Sequence, residues 1–422
     1  MNHKIIGNIF KGDKVIWMVF FFLCMISIVE VYSASSSLSY KSGNFMQPVI
    51  KHTGILLLGF FTIICIIKVK CKYFKLATMP LLGLSVVLLL IVLAAGHSTN
   101  GASRWMDIMG LQFQPSELAK GAMVLATAQI LSAMQTDNGA DKKAIVYILG
   151  ISSVVIVLIG LENMSTAILL STTIFLMMYL GRVPGKQLLI LMGVVGSLVA
   201  LFLCYVLIFG HVEVKPQSKE NTLTEQVDTN VKKDKGIFHR VDTWKARIED
   251  FFDFSYVAPE DVDLDKDAQK VHSKIAIASS NIIGRGPGNS VERDFLSQAF
   301  SDFIYAIIIE ELGVFIGGAG VAFLYIVLLY RAGRIANRCE NNFPAFFAMG
   351  LAILLVTQAL FNMAVAVGAA PVTGQPLPLV SRGGTSTVIN CLYVGCILSI
   401  SRWAKKKDGS VDEEVEDEMD VA

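Results

Sequence analysis

Ten stretches of about 20 residues run through this sequence almost without charge, and that is the length a helix needs to cross hydrocarbon. They fall at roughly 15–34, 47–67, 76–96, 115–134, 144–161, 164–181, 187–210, 302–330, 343–368 and 384–403. Inside a bilayer the backbone must satisfy its own hydrogen bonds, which leaves helices as the natural solution for such stretches. Of the 422 residues 54% are hydrophobic and only 17% charged, against about 25% charge in a soluble domain. The predicted fold class is therefore an all-α integral membrane protein with about ten transmembrane helices. Residues 15–32 exceed a signal-peptide core of roughly 7–15 residues, so the first stretch reads as a retained helix even though Ser33-Ala34-Ser35 imitates a cleavage site. The fifth and sixth stretches are joined by a tight turn around Glu162-Asn163. A net charge of +1 gives no case for nucleic acid as a partner. The seven cysteines are scattered with no CxxC pair, so they read as packing residues, with neither a metal nor disulfides expected.

Charge asymmetry orients the set. One side collects Lys4, Lys11 and Lys14, then Lys68, Lys70, Lys72 and Lys75, then Lys142, Lys143, Arg182 and Lys186. The same side receives Arg331, Arg334 and Arg338, and finally Arg402 and Lys405 to Lys407. The opposite short loops hold little beyond Lys41, Arg104 and Arg382. The expected order is a cytoplasmic N-terminus (1–14), helices one to seven (15–210), a large extracytoplasmic loop (211–301), helices eight to ten (302–403) and an acidic cytoplasmic tail (404–422). In the large loop, Lys215 to Lys235 has the composition of a disordered segment. From Phe238 to Tyr256 aromatics return, as in a segment that packs on the membrane surface.

Three motifs place polar groups at the outer edge of the spans, where they are costly and hence functional candidates. The first is Gly101-Ala102-Ser103-Arg104-Trp105 followed by Gln114-Pro115-Ser116-Glu117-Leu118-Ala119-Lys120. Glu117 and Lys120 are three apart and share a helix face, either as a neutralising ion pair or as the wall of a substrate cavity. The second is Ser301-Asp302-Phe303, leading to Glu310-Glu311. Asp302 stands where the large loop meets a helix, as a helix cap or as a reactive carboxylate. The third is Pro371 to Pro378 with Ser381, Arg382, Gly383 and Gly384, which cannot be continuous helix and must line a cavity, be buried in protein or turn between spans. Gly383 and Gly384 would offer N–H groups to an anion at the next helix start. Arg285, in Gly284-Arg285-Gly286-Pro287-Gly288, adds a cation, but the loop lacks the lysine and strand of a P-loop.

One carboxylate, several arginines and no histidine cluster or Ser-His-Asp set suit an inverting displacement on a sugar. Asp302 would take the proton of the attacking hydroxyl. A diphosphate leaving group needs no acid, only arginines or a divalent cation to hold its charge. No cofactor is fixed by the sequence, and a transporter would show many of the same features.

These motifs also carry a resemblance. GASRW, QPSELAK, HRVDTW, GRGPGNS, SDFIYAIIIEELG and PVTGQPLPLVSRGGTS resemble the SEDS family (shape, elongation, division and sporulation proteins), and its division branch most of all, over nearly all ten stretches. The resemblance implies a peptidoglycan glycosyltransferase acting on lipid II, the undecaprenyl-diphosphate-linked disaccharide peptide. It implies that Asp302 is the catalytic residue and that Glu117 and Lys120 form a functional pair. Arg104, Arg285, Ser381, Arg382, Gly383 and Gly384 are then expected to contact substrate. It further implies a class B penicillin-binding protein and divisome proteins as partners. The chain departs from many relatives at Thr373, where they carry lysine, at Arg382, where they carry tyrosine, and at Glu162-Asn163, where they carry Pro-Asp. Arg382 could supply the charge missing at Thr373. A lipid II flippase and a non-catalytic division scaffold are the competing functions.

The charge pattern generates a topology prediction. A cysteine introduced at Ser218 should react with a membrane-impermeant reagent in intact cells; protection until the cells are permeabilised would reverse the orientation.

Overall fold

A computed structural model describes residues 10–34, 46–95, 97–99, 102–108, 111–209, 268–296 and 299–404. The stretch 215–235, the aromatic segment to Tyr256, the HRVDTW motif and the acidic tail lie outside these residues. Helices cover all ten apolar stretches: α1 (Lys14–Ala34), α2 (Gln47–Ile66), α3 (Cys71–Ala95), α4 (Pro115–Ala133), α5 (Ala144–Glu162), α6 (Met164–Leu180) and α7 (Gly185–Phe209) come first. An amphipathic helix α8 (Ala268–Ser279) ends the expected outer loop. A rod then runs through α9 (Ile304–Leu312), a π-helical segment (Gly313–Gly320) and α10 (Val321–Arg338), followed by α11 (Asn342–Ala366) and α12 (Thr385–Trp403). Among the described residues six units, the rod counted once, are long and apolar enough to cross a membrane.

The boundaries correct the sequence reading in three places. α3 begins at Cys71 rather than 76, because Lys72 and Lys75 can sit in a first turn while their chains reach outward; the Lys72 ammonium lies 5.2 Å from the Tyr73 ring centre. The eighth stretch does not stop at 330: Arg331, Arg334 and Arg338 form the last turns of α10 instead of a loop. There cations complement the helix dipole, and Arg331 pairs with Asp13. The third difference is a small antiparallel sheet between α3 and α4, made of β1 (His97–Thr99), β2 (Ala102–Ile108) and β3 (Leu111–Phe113) in that order. The α5–α6 turn is where the sequence puts it. Asn163 ends α5 and caps α6, its side-chain oxygen accepting from the N–H of Ser165 at 3.1 Å.

α11 is the axis of the bundle. In its apolar stretch 78% of residues are buried, against 22% in α2 and α3, which expose Leu57, Phe61, Leu76 and Val87 outward. α12 packs along α2 through small residues, which let backbones approach closely. A Cβ on Gly59 would lie 2.5 Å from Cys391 Sγ, and one on Gly395 would lie 3.2 Å from Ile63 Cα.

That contact can be tested. Gly59→Ala should destabilise the protein by about 1–3 kcal/mol through overpacking, measured as the unfolding midpoint in detergent. Adding Cys391→Ala should recover part of the loss, and strictly additive losses would show that the Gly59–Cys391 approach is not the limiting contact.

Candidate functional site

The non-helical segment from Pro371 to Gly384 is buried through its centre, and its backbone groups find partners on α11 and on the turn before α9. Asn362 on α11 spends both amide hydrogens on carbonyls, one on Asp302 O at 2.8 Å and one on Gln375 O at 2.7 Å. Gln358, one turn earlier, donates to Pro376 O at 3.2 Å. Ser381 Oγ donates to Ser301 O at 2.6 Å and accepts from Leu377 N–H at 2.7 Å. The Arg382 N–H donates to Phe300 O at 3.0 Å. The 371–384 segment and the turn carrying Asp302 are thereby tied together by three links, at Phe300 O, Ser301 O and Asp302 O.

Asp302 is partly exposed and accepts from Ser301 Oγ at 3.1 Å. The cap position of α9 is occupied by Phe303, which makes no side-chain cap, and Asp302 stands one residue before it. The Arg382 guanidinium lies 5.3 Å from the centre of the Phe300 ring, and burial holds its pKa below the usual guanidinium value. A cation that has lost part of its hydration attracts an anion more strongly than one in open water. Gly384 has φ +56°, a conformation open to glycine, and turns the chain into α12. The N–H groups of Ser386 and Thr387 are bonded to Gly383 O and Gly384 O, so fewer donors remain for an anion than the sequence promised. Thr385 Oγ1 donates to Gln112 O at 2.6 Å and fastens α12 to the sheet that carries Arg104 on β2.

Glu117 and Lys120 form the expected pair, 2.9 Å apart and 1% and 0% exposed. Lys120 Nζ also donates to Gln358 Oε1 at 2.7 Å, so the pair reaches the 371–384 segment through one glutamine. Tyr393 OH donates to Glu117 O. Further along α4 lies an apolar cavity of about 300 Å³, bounded by Leu118, Gly121 and Leu125 of α4, Tyr73 and Phe74 at the start of α3 and Phe347 of α11. Thr373 is buried, and its hydroxyl has no hydrogen-bond partner among the described residues.

Arg285 goes elsewhere. Its Nη1 lies 3.7 Å from Glu310 Oε1, and its N–H bonds to Glu310 O. The whole glycine-rich loop is held by the two adjacent carboxylates of α9. Glu311 accepts from the N–H groups of Gly288 at 2.9 Å and Ser290 at 3.3 Å, and from Ser33 Oγ of α1. Glu310 accepts from Val291 N–H at 3.0 Å and from Ser290 Oγ. Buried carboxylates need several donors, and a loop rich in glycine can bring its N–H groups close enough to supply them. Gly284 and Gly313 both have positive φ, and a Cβ on Gly284 would lie 2.3 Å from Glu311 O and one on Gly313 2.3 Å from Ile282 O.

The structure thus joins Asp302, Ser381, Arg382, Gly383 and Gly384, and links Glu117 and Lys120 to them. Gln358, Asn362 and Gln375 were missed. Polar amides at i and i+4 within an apolar stretch were the available signal for the first two. Among the described residues no three acidic, imidazole or thiol side chains converge, so a divalent ion here would rest on Asp302 and substrate oxygens rather than on a protein cage.

With this geometry in view, the sequence matches the family model FtsW/RodA/SpoVE, described as "Cell cycle protein", over residues 13–406. It is 28% identical over 401 residues to a probable peptidoglycan glycosyltransferase FtsW of Geobacter sulfurreducens, covering 94% of this chain and 96% of the relative. It is 30% identical to the protein of the same name in Geobacter sp. strain M18, covering 92% and 96%. Among solved structures, a chain of a peptidoglycan synthase complex that coordinates polymerization and crosslinking aligns with TM-score 0.68 at 22% identity, covering 93% of this chain and 98% of that one. The rod shape determining protein RodA of Thermus thermophilus aligns with TM-score 0.61 at 22% identity, covering 94% and 98%. These two likenesses establish the shared fold.

The buried pair generates a prediction. Lys120→Met should cost about 3–5 kcal/mol by stranding Glu117, read as a lower unfolding midpoint in detergent. Lys120→Met with Glu117→Gln should recover much of that. Wild-type stability in the single variant would mean the pair is not needed for folding.

Proposed function

The chain belongs to the FtsW/RodA/SpoVE family, and from that premise we propose that it is a peptidoglycan glycosyltransferase that polymerises lipid II with Asp302 as general base. The observation that carries this reading is the clamp around Asp302: its carbonyl is fixed by Asn362, and the segment bearing Arg382 is bonded to the same turn. A partly exposed carboxylate and a half-buried cation on two bonded irregular segments match the two demands of the reaction, removal of a proton and stabilisation of a leaving diphosphate.

In the proposed step the hydroxyl of one sugar attacks the anomeric carbon of a diphosphate-linked donor. The new carbon–oxygen bond forms as the bond to the diphosphate breaks, with inversion. The hydroxyl proton passes to an Asp302 carboxylate oxygen, and the diphosphate departs with its electron pair. Arg382 attracts the departing anion, with Arg104 on the adjoining sheet as a second cation. An isoprenoid chain has the chemistry to fill the apolar cavity along α4. The reaction would take place on the outer side of the cytoplasmic membrane, with both termini cytoplasmic, the orientation that the charge asymmetry favours. A class B penicillin-binding protein is the proposed partner, supported by the fold shared with a chain of a synthase complex that both polymerises and crosslinks. Action during septal growth is supported by the matching family's description as a cell cycle protein.

Asp302→Asn keeps the side-chain shape and removes the base. It should fold, insert and bind its partner, yet lose about 10²–10⁴-fold in rate. The measurement is glycan chain formation from lipid II by the protein with its partner, with transpeptidation blocked. Wild-type product from Asp302→Asn would remove this residue from the mechanism. Lipid movement without glycan from the wild type would favour a flippase, and normal division by Asp302→Asn cells would favour a scaffold.

A further inference from the structure

At one end of the bundle two of the strongly apolar units meet: α1 begins there at Lys14 and the α9–α10 rod ends there at Arg338. α12 reaches the same place with Ser401, and the described chain leaves at Ala404. Between them lies a cavity of about 270 Å³ lined by Asp13, Lys14, Arg331, Arg338, Ser401 and Ala404, among others. Asp13, the one acidic residue in the lining, is fully engaged. Its carboxylate accepts from Arg331 Nε at 3.2 Å and from Arg331 Nη2, and its Oδ1 caps α1 through the N–H groups of Val15 at 2.9 Å and Ile16 at 3.1 Å. Its own N–H donates to Ser401 Oγ at 2.9 Å. The Asp13–Arg331 pair therefore builds the wall and leaves Lys14 and Arg338, both exposed, without a carboxylate among the described residues.

We propose that this cavity binds the headgroup of an anionic phospholipid, with Lys14 and Arg338 holding its phosphate. Basic pockets at the ends of membrane-spanning helices stand at headgroup depth, where cations attract anionic lipid. Two details place that boundary here. Trp403, at the end of α12, has Arg402 4.3 Å and Lys70 5.4 Å from its ring centre and donates its indole N–H to Ile67 O at 2.9 Å, the mixed setting of an interfacial aromatic. Met18, one turn inward from Lys14 on the same face, and Tyr330, about two turns inward from Arg338, have exposed side chains with large apolar surface. An acyl chain below a bound headgroup would meet them. The acidic run Asp412 to Asp420 is the rival occupant, but Lys405, Lys406 and Lys407 come first where the chain leaves the cavity rim.

The test uses the full chain in nanodiscs of equal parts phosphatidylglycerol and phosphatidylcholine. Lipid retained after transfer to detergent is counted by native mass spectrometry. Wild type should retain phosphatidylglycerol in preference. Lys14→Gln and Arg338→Gln should each weaken retention about fivefold, and together about 25-fold. Should the double variant fail to fold, the Arg338→Gln single decides. Equal retention by wild type and variant would overturn the proposal. A chain ending at Asp408 should behave as wild type; retention seen only in that shortened chain would assign the cavity to the acidic tail and overturn it as well.

Discussion

Two amide side chains on α11 hold the candidate site together. A segment with prolines and glycines cannot satisfy its own backbone, and at the depth of a membrane bundle an orphan carbonyl costs on the order of several kcal/mol. Gln358 and Asn362 answer that cost from a helix whose apolar stretch is mostly buried, reaching three carbonyls with geometry that a helix fixes in advance. Because α11 is the axis, the 371–384 segment, the Asp302 turn and the Glu117–Lys120 pair all take their positions from one rigid element. Replacing either amide with an apolar residue of the same size would leave α11 packed and strand what it holds.

The second organising device has the opposite polarity. On α11, side-chain donors meet backbone acceptors; on α9, Glu310 and Glu311 are side-chain acceptors that collect backbone donors from the glycine-rich loop. α1 joins in through Ser33, which bonds Glu311 and accepts from Arg293 Nη1 at 3.0 Å. Six residues earlier on α1, Ser27 donates to Val380 O at 2.6 Å and lies 2.7 Å from His52 Nε2. One helix thus touches both irregular segments, so the first span serves as a strut between them.

Much of the fold was legible because the signal was long. Twenty uncharged apolar residues mean a spanning helix whatever surrounds them, and a helix covers each of the ten stretches. The ends were less legible: Arg331 looked like a stop but was the start of a charged last turn. The three-stranded sheet was invisible because strands of three to seven residues carry too little alternation to stand out. Within the site, Glu117 and Lys120 were readable from spacing, since three residues apart on a helix is a contact rule. Arg285 was readable only as a charge, because its partner Glu310 lies 25 positions away. The amides of α11 were hidden for a different reason: hydropathy averages over a window, and a few polar atoms disappear in 25 apolar-rich residues. Thr373 is buried, and its hydroxyl has no hydrogen-bond partner among the described residues.

The π-helical segment in the rod sets the angular phase of everything after it. Hydrogen bonds of the i→i+5 type take up one residue more than those of an α-helix. At 3.6 residues per turn, one residue is about 100° of rotation. The face that turns Glu310 and Glu311 toward the glycine-rich loop is therefore out of step with the face that carries Arg331 and Arg338 to the far end. The eight residues Gly313–Gly320 act as a phase shifter between the two ends of a single span, and their four glycines make the wide turn possible.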